Sequence, residues 1–432
     1  MELNRSWIFA ESPLDELHAR GRELQGKGQL LIDCSMINPD LTPPRLLLDK
    51  LVEAAMKPVT HRYAVSRGIR RLREAFTNRY QRVFGVALDS ESECCVTLGA
   101  KDGVLNFLRA AEQLGTLRAG DPVLLPFPCY PAHRAAVMLC GFTPVYFQVC
   151  DGEGRGDLSV EFERALQATK AKVALLNFPH NPTGLVISAS EVESLLKISA
   201  VYGTTVLNDF AYGELTAAGP DGETEAASSF LAVARTLKSS GGTVRVVEAY
   251  TMSKAFSVPG WRIAALLGDA AILRAVVRIK SWSDYGQFLP VQSAAAAGLE
   301  ASQELIGEAR RAYGRRTATL SQGLSRLGWS VPVIPTAGAF VWCRPNFPQT
   351  SATAARILLD QHGIVSMPGE LFGEGLETWV RLATVVPEET VREILRRFGT
   401  SDHRANATAN GSAASVQGGA ARNSSTTTIG VS

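Results

Sequence analysis

Apolar runs and amphipathic segments alternate regularly between Cys94 and Asp209. The apolar runs have the length of buried strands and end at Leu98, Leu125, Phe147, Asn177 and Asp209. The segments between them have helical spacing: Asp102–Leu114, Pro131–Leu139, Ser159–Ala168 and Ser188–Tyr202. This alternation predicts an α/β fold with a mainly parallel central sheet and helices on both faces. Because ligands bind beyond the carboxyl ends of strands in such sheets, the residues after each run are the first candidates for a site.

The flanking segments extend this pattern on both sides. Before it, the sequence predicts a helix with Ser12 as N-cap, a short strand, a helix opened by a proline pair and a basic amphipathic helix: Ser12–Gln25, Gln29–Met36, Arg45–Met56 and Ile69–Phe84. We expect the charges of the last helix to form a solvated face. After it come two strand-like runs, a stretch long enough for one helix or two in series, and a smaller α+β block: Thr243–Tyr250, Ile263–Gly268, Leu289–Leu327, Val331–Ile334, Ala339–Cys343, Ala352–His362 and Trp379–Ala383.

The chain is expected to divide into four regions. An N-terminal segment, residues 1–45, contributes to a small domain, and residues 46–295 form the large domain that carries the ligand site. Residues 296–400 form the small C-terminal domain. Residues 401–432 are rich in Ala, Ser, Thr, Asn and Gly. Such a segment cannot bury enough apolar surface to order itself, so we expect a disordered tail.

Composition and charge exclude several classes of protein. With 432 residues, 46% of them hydrophobic, the chain can bury a large core. A formal net charge of +2 gives no sign of a nucleic-acid partner. No apolar run approaches the ~20 residues that span a bilayer, and we expect no signal peptide in Met1–Ser12. The seven cysteines include no C-x-x-C pair, so we expect reduced thiols, a cytoplasmic location and no metal site.

Candidate chemistry centres on Lys254. This lysine follows a strand-like run and is flanked in sequence by the apolar residues Met252, Ala255 and Phe256. Apolar surroundings disfavour the ammonium form and lower the pKa of a lysine. The neutral amine can then form a Schiff base with an aldehyde, including that of pyridoxal phosphate. Taken alone, the Ser-Lys pair also fits an ordinary surface loop.

Polar residues at other strand ends fit the same chemistry. The string Asn181-Pro182-Thr183-Gly184 follows a buried run, and the side chain of Asn181 can donate to a ring oxygen. Asp209, at the end of another run, needs a buried partner, which a pyridinium N–H would supply. A structural carboxylate that caps Tyr212 or a nearby loop would explain Asp209 equally well.

Three further features fit a bound phosphorylated ring. Free backbone N–H groups at the turn of residues 99–102 can hold a phosphate, and so can the guanidinium of Arg262. The ring of Tyr130, at the start of a helix, can stack on a flat cofactor. Each feature has an ordinary alternative, namely a plain strand-to-helix turn, a solvated arginine and a packing tyrosine.

The combination of motifs resembles the fold-type I, class I and II pyridoxal-phosphate aminotransferases over about residues 29–398. The motifs that carry the resemblance, in family order and spacing, are N-P-T-G at 181–184, Asp209 with Tyr212, Ser253-Lys254 and P-G-W-R at 259–262. The stretches 35–40, 61–72 and 279–290 look like those of bacterial alanine-type transaminases. The resemblance implies a homodimer that moves the α-amino group of an L-amino acid, alanine or another small neutral donor, to a 2-oxo acid by a ping-pong mechanism.

The resemblance also implies a role for each matching residue in binding pyridoxal 5′-phosphate. Lys254 would carry the cofactor and move the proton between the substrate α-carbon and the cofactor. Asp209 would hold the pyridine nitrogen, Asn181 and Tyr212 the phenolic oxygen, and Tyr130 would stack on the ring. The phosphate would be held by the backbone of two residues, by two side chains and by a tyrosine of the neighbouring subunit: Ala100, Lys101, Ser253, Arg262 and Tyr63.

Substrate recognition is implied for three positions. Arg381, in the string V-R-L-A, would clamp the substrate α-carboxylate, with Asn181 beside it. Ile37 stands beside the substrate, where the family usually has glycine, and its side chain would narrow the acyl pocket or redirect the carboxylate.

The motifs do not separate amino transfer from elimination or oxidation, so a pyridoxal-phosphate lyase or oxidase remains an alternative. A non-catalytic regulator on the same scaffold would need a DNA-binding module, and here the fold is expected to begin by about residue 12. A plain nucleotide-binding protein is disfavoured because neither a G-x-G-x-x-G nor a Walker string occurs.

Overall fold

The computed structural model describes residues 11–151, 154–217, 226–239, 243–301, 303–347 and 353–399. Its helices are α1 Pro13–Gly26, α2 Arg45–Ala55, α3 Arg70–Phe84, α4 Ala100–Gln113, α5 Pro131–Leu139, α6 Leu158–Thr169, α7 Ala189–Tyr202, α8 Phe230–Ser239, α9 Ala270–Ser283, α10 Leu289–Glu300, α11 Gly307–Arg326, α12 Ala354–His362 and α13 388–399. Its strands are β1 Ile32–Cys34, β2 Cys94–Leu98, β3 Pro122–Phe127, β4 Thr143–Gln148, β5 Val173–Leu176, β6 Thr205–Asp209, β7 Val246–Thr251, β8 Ile263–Gly268, β9 Phe340–Cys343, β10 Ile364–Pro368 and β11 Val380–Ala383. The predicted tail, 401–432, lies outside the described residues.

The central sheet has the order β2-β8-β7-β6-β5-β3-β4 within the described part of the chain. Strand β8 is antiparallel to both of its neighbours, and the other pairings are parallel. Helices pack on the sheet, among them α4, which contacts β2, β7 and β8. The α/β fold with a mainly parallel sheet is therefore confirmed. The carboxyl ends of β2, β5, β6 and β7 lie at one edge, which is where parallel sheets bind ligands.

A second, smaller sheet has the order β1-β10-β11-β9. Strand β1 pairs in parallel with β10, so a strand near the start of the chain belongs to the same sheet as strands near its end. Strand β11 lies between β10 and β9 and is antiparallel to both. The domain boundary predicted at residue 296 falls inside α10, and the division into domains stays a prediction.

Most element borders follow the sequence pattern. Helix α5 and strand β8 have the predicted limits, and Ser12 Oγ accepts a hydrogen bond from Leu14 N at the start of α1. The stretch 289–327 forms two helices in series, α10 and α11, with a short 3-10 turn at Gln303–Ile306 between them. Strand β10 and helix α13 were not predicted. Residues 331–334 form no strand, and the adjacent Ser330 forms an isolated bridge with Arg344.

The prediction that the charges of α3 form a solvated face is wrong for two arginines. Arg79 is 1% exposed, and its Nε and Nη2 donate to the two carboxylate oxygens of Glu214 at 2.8 and 2.6 Å. Arg73 is also buried and donates to the carbonyl oxygen of Gly68 at 2.5 Å. A buried guanidinium needs such partners, and Glu214 lies far away along the chain. None of the described helices is long and apolar enough to cross a lipid bilayer.

Candidate active site

Lys254 lies just beyond the carboxyl end of β7. Its Nζ donates to the carbonyl oxygen of Ile37, a residue of the segment between β1 and α2. Burial lowers the pKa of Lys254 from its ordinary value to about 8, and the positive charges of Arg381, Arg262 and Lys101 act in the same direction. The carboxylate of Asp209 opposes this shift. The amine therefore loses its proton far more readily than a solvated lysine does.

Asp209, the last residue of β6, is 5% exposed. Its Oδ2 lies 2.9 Å from Nε2 of His133, which is also buried. Its Oδ1 is buried and has no hydrogen-bond partner among the described residues. A buried carboxylate oxygen without a donor is costly, so this atom is suited to receive an N–H group from a ligand.

His133 is a site residue to which the sequence assigned no role. It lies in the first turn of α5, three positions after Tyr130, and the two rings meet edge to face at 5.1 Å between centroids. The available signal was its position, because residues in the first turn after a parallel strand face the ligand edge. Nothing in the local pattern showed that its ring would reach Asp209, which is far away in sequence.

The loop that carries Asn181 is tied to the end of β6. Asn177 donates through Nδ2 to the carbonyl oxygen of Asp209 at 2.7 Å, and its Oδ1 accepts from the backbone N–H of Asn181 at 3.1 Å. His180, in the same loop, spans Pro128 O and Thr183 Oγ1, and burial lowers its pKa to about 3. A neutral imidazole is therefore part of this loop's scaffold, and the loop is fixed relative to Asp209.

Arg381 extends from β11 of the small sheet to this loop. It is 2% exposed, and its Nη1 donates to Asn181 Oδ1 at 2.9 Å while Nη2 donates to Ser35 O at 2.8 Å. The guanidinium lies over the rings of Phe340 and Phe372, at 5.6 and 5.3 Å from their centroids. Its Nε is buried and has no partner in the described residues. Burial lowers the pKa of Arg381, but the group remains a cation with an unused donor.

The start of α4 and Arg262 form a cationic corner beside Lys254. Helix α4 begins after Gly99, whose φ is 84°, and the first two helical residues are Ala100 and Lys101. Arg262 Nη2 donates to Leu98 O at 3.3 Å, and a Cβ at Gly99 would lie only 2.2 Å from this Nη2. Glycine at this position therefore permits the guanidinium to approach the helix N-terminus, where free N–H groups bind anions.

The remaining predicted residues lie around the same point. Ser253 follows β7, and its Oγ is 2.8 Å from Thr251 Oγ1. Lys101 Nζ is 6.0 Å from the ring centroid of Tyr130. Tyr212 is buried, and burial raises the pKa of its hydroxyl above the ordinary value, with the charge of Arg381 acting against this shift. Tyr212 thus lies close enough to Arg381, Tyr130 and Asp209 to interact electrostatically with all three.

Tyr63 does not join this cluster within one chain. Its side chain is 92% exposed and packs edge to face on Tyr285 at 5.9 Å. His61 and Phe288 make a second ring contact at 5.5 Å, so the segments 61–65 and 285–288 lie against each other. Large apolar side chains are exposed in and near these segments, namely Val52, Met56, Val59, Val65, Trp282 and Phe288.

Comparison with known proteins gives this geometry a family. The sequence model for aminotransferase class I and II matches residues 35–398. The chain belongs to this family. The aminotransferase is 34% identical over 375 residues to the glutamate-pyruvate aminotransferase AlaC of Escherichia coli, with 86% of each chain covered. It is 33% identical over 398 residues to the LL-diaminopimelate aminotransferase of Syntrophobacter fumaroxidans, with 92% of this chain and 97% of the relative covered.

Solved structures agree with the family. Substrate-bound BacF of Bacillus subtilis matches the aminotransferase with a TM-score of 0.77 at 27% identity, over 92% of this chain and 97% of the other. The aspartate aminotransferase of Thermus thermophilus with maleate also has a TM-score of 0.77, at 26% identity, over 92% and 99% of the two chains. The resemblance found in the sequence is thereby confirmed: the chain is a fold-type I transaminase that uses pyridoxal 5′-phosphate.

Proposed function

We propose that this aminotransferase takes the α-amino group from a small neutral L-amino acid of the alanine type and passes it to a 2-oxo acid in two half-reactions. One observation carries the proposal. The three-residue segment Ser35–Ile37 contacts both Arg381 and Lys254, through the carbonyl oxygens of its first and last residues. The cation proposed to bind a carboxylate and the reactive amine thus contact the same short segment. This arrangement suits a substrate whose carboxylate and amino group are attached to one carbon atom.

The unpartnered atoms at the site fit the cofactor. Asp209 Oδ1 is a buried acceptor in need of an N–H donor, and the pyridine nitrogen supplies one when it is protonated. We assign Asp209 to that nitrogen, Asn181 and Tyr212 to the phenolic oxygen, and Tyr130 to the ring face. When bound, pyridoxal 5′-phosphate supplies an electron sink for the charge that develops at the substrate α-carbon.

The cationic corner fits the phosphate. The backbone N–H groups of Ala100 and Lys101 begin helix α4, and the Arg262 guanidinium lies against the same turn. A guanidinium and a helix N-terminus together favour a dianion. We assign these three residues and the hydroxyl of Ser253 to the phosphate.

Lys254 is assigned two tasks. As a neutral amine it would hold the aldehyde group of the cofactor, and with an amino acid bound it would take the proton from the substrate α-carbon and deliver it to the cofactor. A base whose pKa is about 8 is well matched to this work near neutral pH. Such positioned proton transfer is typically worth about 10²–10⁴-fold in rate.

Arg381 and Ile37 are assigned to the substrate. The Arg381 Nε is an unused buried donor, and a carboxylate can accept from it and from the terminal nitrogens together. Asn181, which already bonds Arg381, orients the guanidinium for this contact. Ile37 is 6% exposed, and its β-branched side chain belongs to the residue whose carbonyl oxygen accepts from Lys254 Nζ. We infer that this side chain limits the size of the donor, which supports the alanine-type assignment.

We further propose a homodimer in which Tyr63 of the partner subunit reaches the phosphate. The support is the 92% exposure of Tyr63 on a face with several other exposed apolar side chains, since such a patch marks a protein interface. Sedimentation of the full chain at micromolar concentration should give a dimer, and a monomer that retains activity would contradict this proposal. We also propose a cytoplasmic location, which the seven free cysteines support.

The donor proposal is tested by mixing the holoenzyme with single amino acids in the absence of any 2-oxo acid. Loss of the absorption of the aldehyde form of the cofactor reports the first half-reaction directly. We expect L-alanine and similarly small neutral amino acids to react at least about tenfold faster than aspartate or diaminopimelate, which is the discrimination expected from a hydrophobic wall in the pocket. Faster reaction with either of the two charged donors would contradict the donor assignment and leave the family unaffected.

A further inference from the structure

A fully buried lysine outside the proposed machinery lies behind the cationic corner. Lys280, on α9, is 0% exposed, and its Nζ is 2.5 Å from Asp284 Oδ2 and 3.7 Å from Asp102 Oδ2. A buried ammonium is retained only where carboxylates compensate it, and here it stands between two of them. The sequence pattern assigned no role to any of these three residues.

Asp102 places one of those carboxylates in the first turn of α4. Its Oδ2 accepts from the N–H of Leu98 at 2.9 Å, and its Oδ1 accepts from Asn106 Nδ2 at 2.8 Å. An anion in the first turn interacts with the positive end of the helix, as a bound phosphate also would. The carboxylate of Asp102 therefore fixes the turn before Ala100 but also opposes a second anion there, and the nearby cation of Lys280 reduces that repulsion.

Asp284 connects Lys280 to the other side of the corner. Its Oδ1 accepts from the N–H of Gly286 at 2.8 Å, which shapes the turn leading to Gln287. Gln287 Nε2 then donates to Thr97 O and, at 3.4 Å, to Arg262 O. Lys280 is thus linked by hydrogen bonds and ion pairs both to the start of α4 and to the backbone of Arg262.

We propose that Lys280 is a positioning residue for the phosphate of the cofactor. It offsets the charge of Asp102 and holds the turn of residues 284–287 against Arg262, and both effects increase the affinity of the corner for a dianion. The proposal rests on the assignment of Ala100, Lys101 and Arg262 to the phosphate. It predicts that Lys280 affects ligands that carry the phosphate group and has little effect on the same ring without it.

The test uses the full chain, stripped of cofactor and titrated with pyridoxal 5′-phosphate and, separately, with pyridoxal, with tryptophan fluorescence as the readout. We expect Lys280→Met to weaken pyridoxal 5′-phosphate binding by at least about tenfold and pyridoxal binding by less than about twofold. Lys280→Arg should retain most of the affinity because it keeps the charge. Arg278→Met, which removes an exposed cation from the same helix, is the matched control and should change neither affinity.

A second variant removes the carboxylate instead of the lysine. Asp102→Asn keeps an oxygen that can accept from Leu98 N. The new amide N–H can donate to Asn106 Oδ1 once the Asn106 amide has turned, and this oxygen has no partner among the described residues. We expect this variant to bind pyridoxal 5′-phosphate severalfold more tightly than the unmodified chain. Lys280→Met with Asp102→Asn should regain the part of the lost affinity that comes from the uncompensated charge of Asp102. If Lys280→Met does not fold, the affinity of Asp102→Asn for pyridoxal 5′-phosphate is the test of the proposal.

Several outcomes would overturn the role of Lys280. Equal weakening of both ligands by Lys280→Met, no weakening of either, or unchanged or weaker cofactor binding by Asp102→Asn each exclude a phosphate-specific effect. These results differ from failure of the site assignment itself, in which the unmodified chain would bind pyridoxal 5′-phosphate no more tightly than pyridoxal.

Discussion

The imidazole of His133 and the carboxylate of Asp209 are in contact, with Nε2 2.9 Å from Oδ2, and both groups are buried. The contact leaves Asp209 Oδ1 as the free acceptor. His133 thus fixes which oxygen of Asp209 faces the ligand. It also brings α5, which begins next to Tyr130, into register with the end of β6.

His133→Leu should lower kcat by about tenfold to hundredfold, because a hydrogen bond to a charged group contributes about 1.5–3 kcal/mol. The carboxylate of Asp209 would lose its fixed orientation and hold the pyridine nitrogen less well. The measurements are kcat and the cofactor affinity of the same variant. His133→Asn, which can still donate to Asp209, should recover part of the loss. Normal turnover by His133→Leu would show that the contact does not orient Asp209.

The rate at which the stripped chain attaches the cofactor aldehyde should depend on pH through Lys254. Burial lowers the pKa of this amine to about 8, so the reactive neutral form increases about tenfold per pH unit below that value and saturates above it. Stopped-flow absorbance from about pH 6 to about pH 10 measures the profile. Arg381→Leu removes a positive charge that lowers this pKa, so the plateau should begin at higher pH.

Lys254→Ala serves as the control for that profile and should show no attachment at any pH, with turnover abolished. It should still bind pyridoxal 5′-phosphate noncovalently through the cationic corner. Lys197→Ala, which removes an exposed lysine paired with Glu193, should behave like the unmodified chain. A profile that keeps rising as far as the ordinary lysine pKa would contradict the burial argument.

Arg381→Leu should raise the KM for the amino acid about a hundredfold while weakening cofactor affinity far less. The guanidinium makes bonds to Asn181 and Ser35, and its free Nε is assigned to the substrate carboxylate. Loss of a charged bidentate contact is worth roughly 2–3 kcal/mol. Initial rates against amino-acid concentration, together with a cofactor titration, check both halves. Arg392→Leu, on an exposed part of α13, is the control.

An unchanged KM for the amino acid in Arg381→Leu would exclude Arg381 as the carboxylate clamp. A parallel loss of cofactor affinity would assign Arg381 to the architecture of the site instead. Arg381→Lys distinguishes charge from geometry, because lysine keeps the cation but cannot make the paired contact.

Arg79→Leu should lower the free energy of unfolding by about 3 kcal/mol, the lower end of the range for breaking a buried ion pair. The effect is at the lower end because the Glu214 carboxylate keeps two other partners: the Tyr250 hydroxyl donates to it, and Arg310 Nη2 lies 4.0 Å from its Oε2. Urea titration of the holoenzyme at fixed protein concentration measures it. Arg79→Leu combined with Glu214→Leu should cost less than Arg79→Leu alone, and a larger loss in the double variant would contradict the ion-pair explanation.

The sequence predicted the part of the fold that depends on local pattern. Strand ends such as Leu98 and Asp209 were read correctly because period and flanking turn residues determine them. Lys254 and Arg381 could be singled out from their neighbours in sequence and from resemblance. The structure adds that they meet one backbone segment, a fact that depends on β1 joining the small sheet through β10.

The failures share a physical cause. Arg79 with Glu214, His133 with Asp209 and Lys280 with Asp102 are three contacts between residues that are distant in sequence. A charged residue on a helix has the same local pattern whether it is solvated or meets a distant carboxylate. Only the tertiary arrangement decides which of the two applies.

The resting partners of Lys254 and Arg381 in the segment 35–37 are main-chain oxygens. No single replacement of a side chain in that segment can delete either acceptor. Mutation there can therefore change the shape of the substrate pocket while Lys254 and Arg381 keep their main-chain hydrogen-bond acceptors. A bulky residue at Ile37 is then compatible with an intact catalytic centre, and this position offers a route for altering donor preference without rebuilding the chemistry.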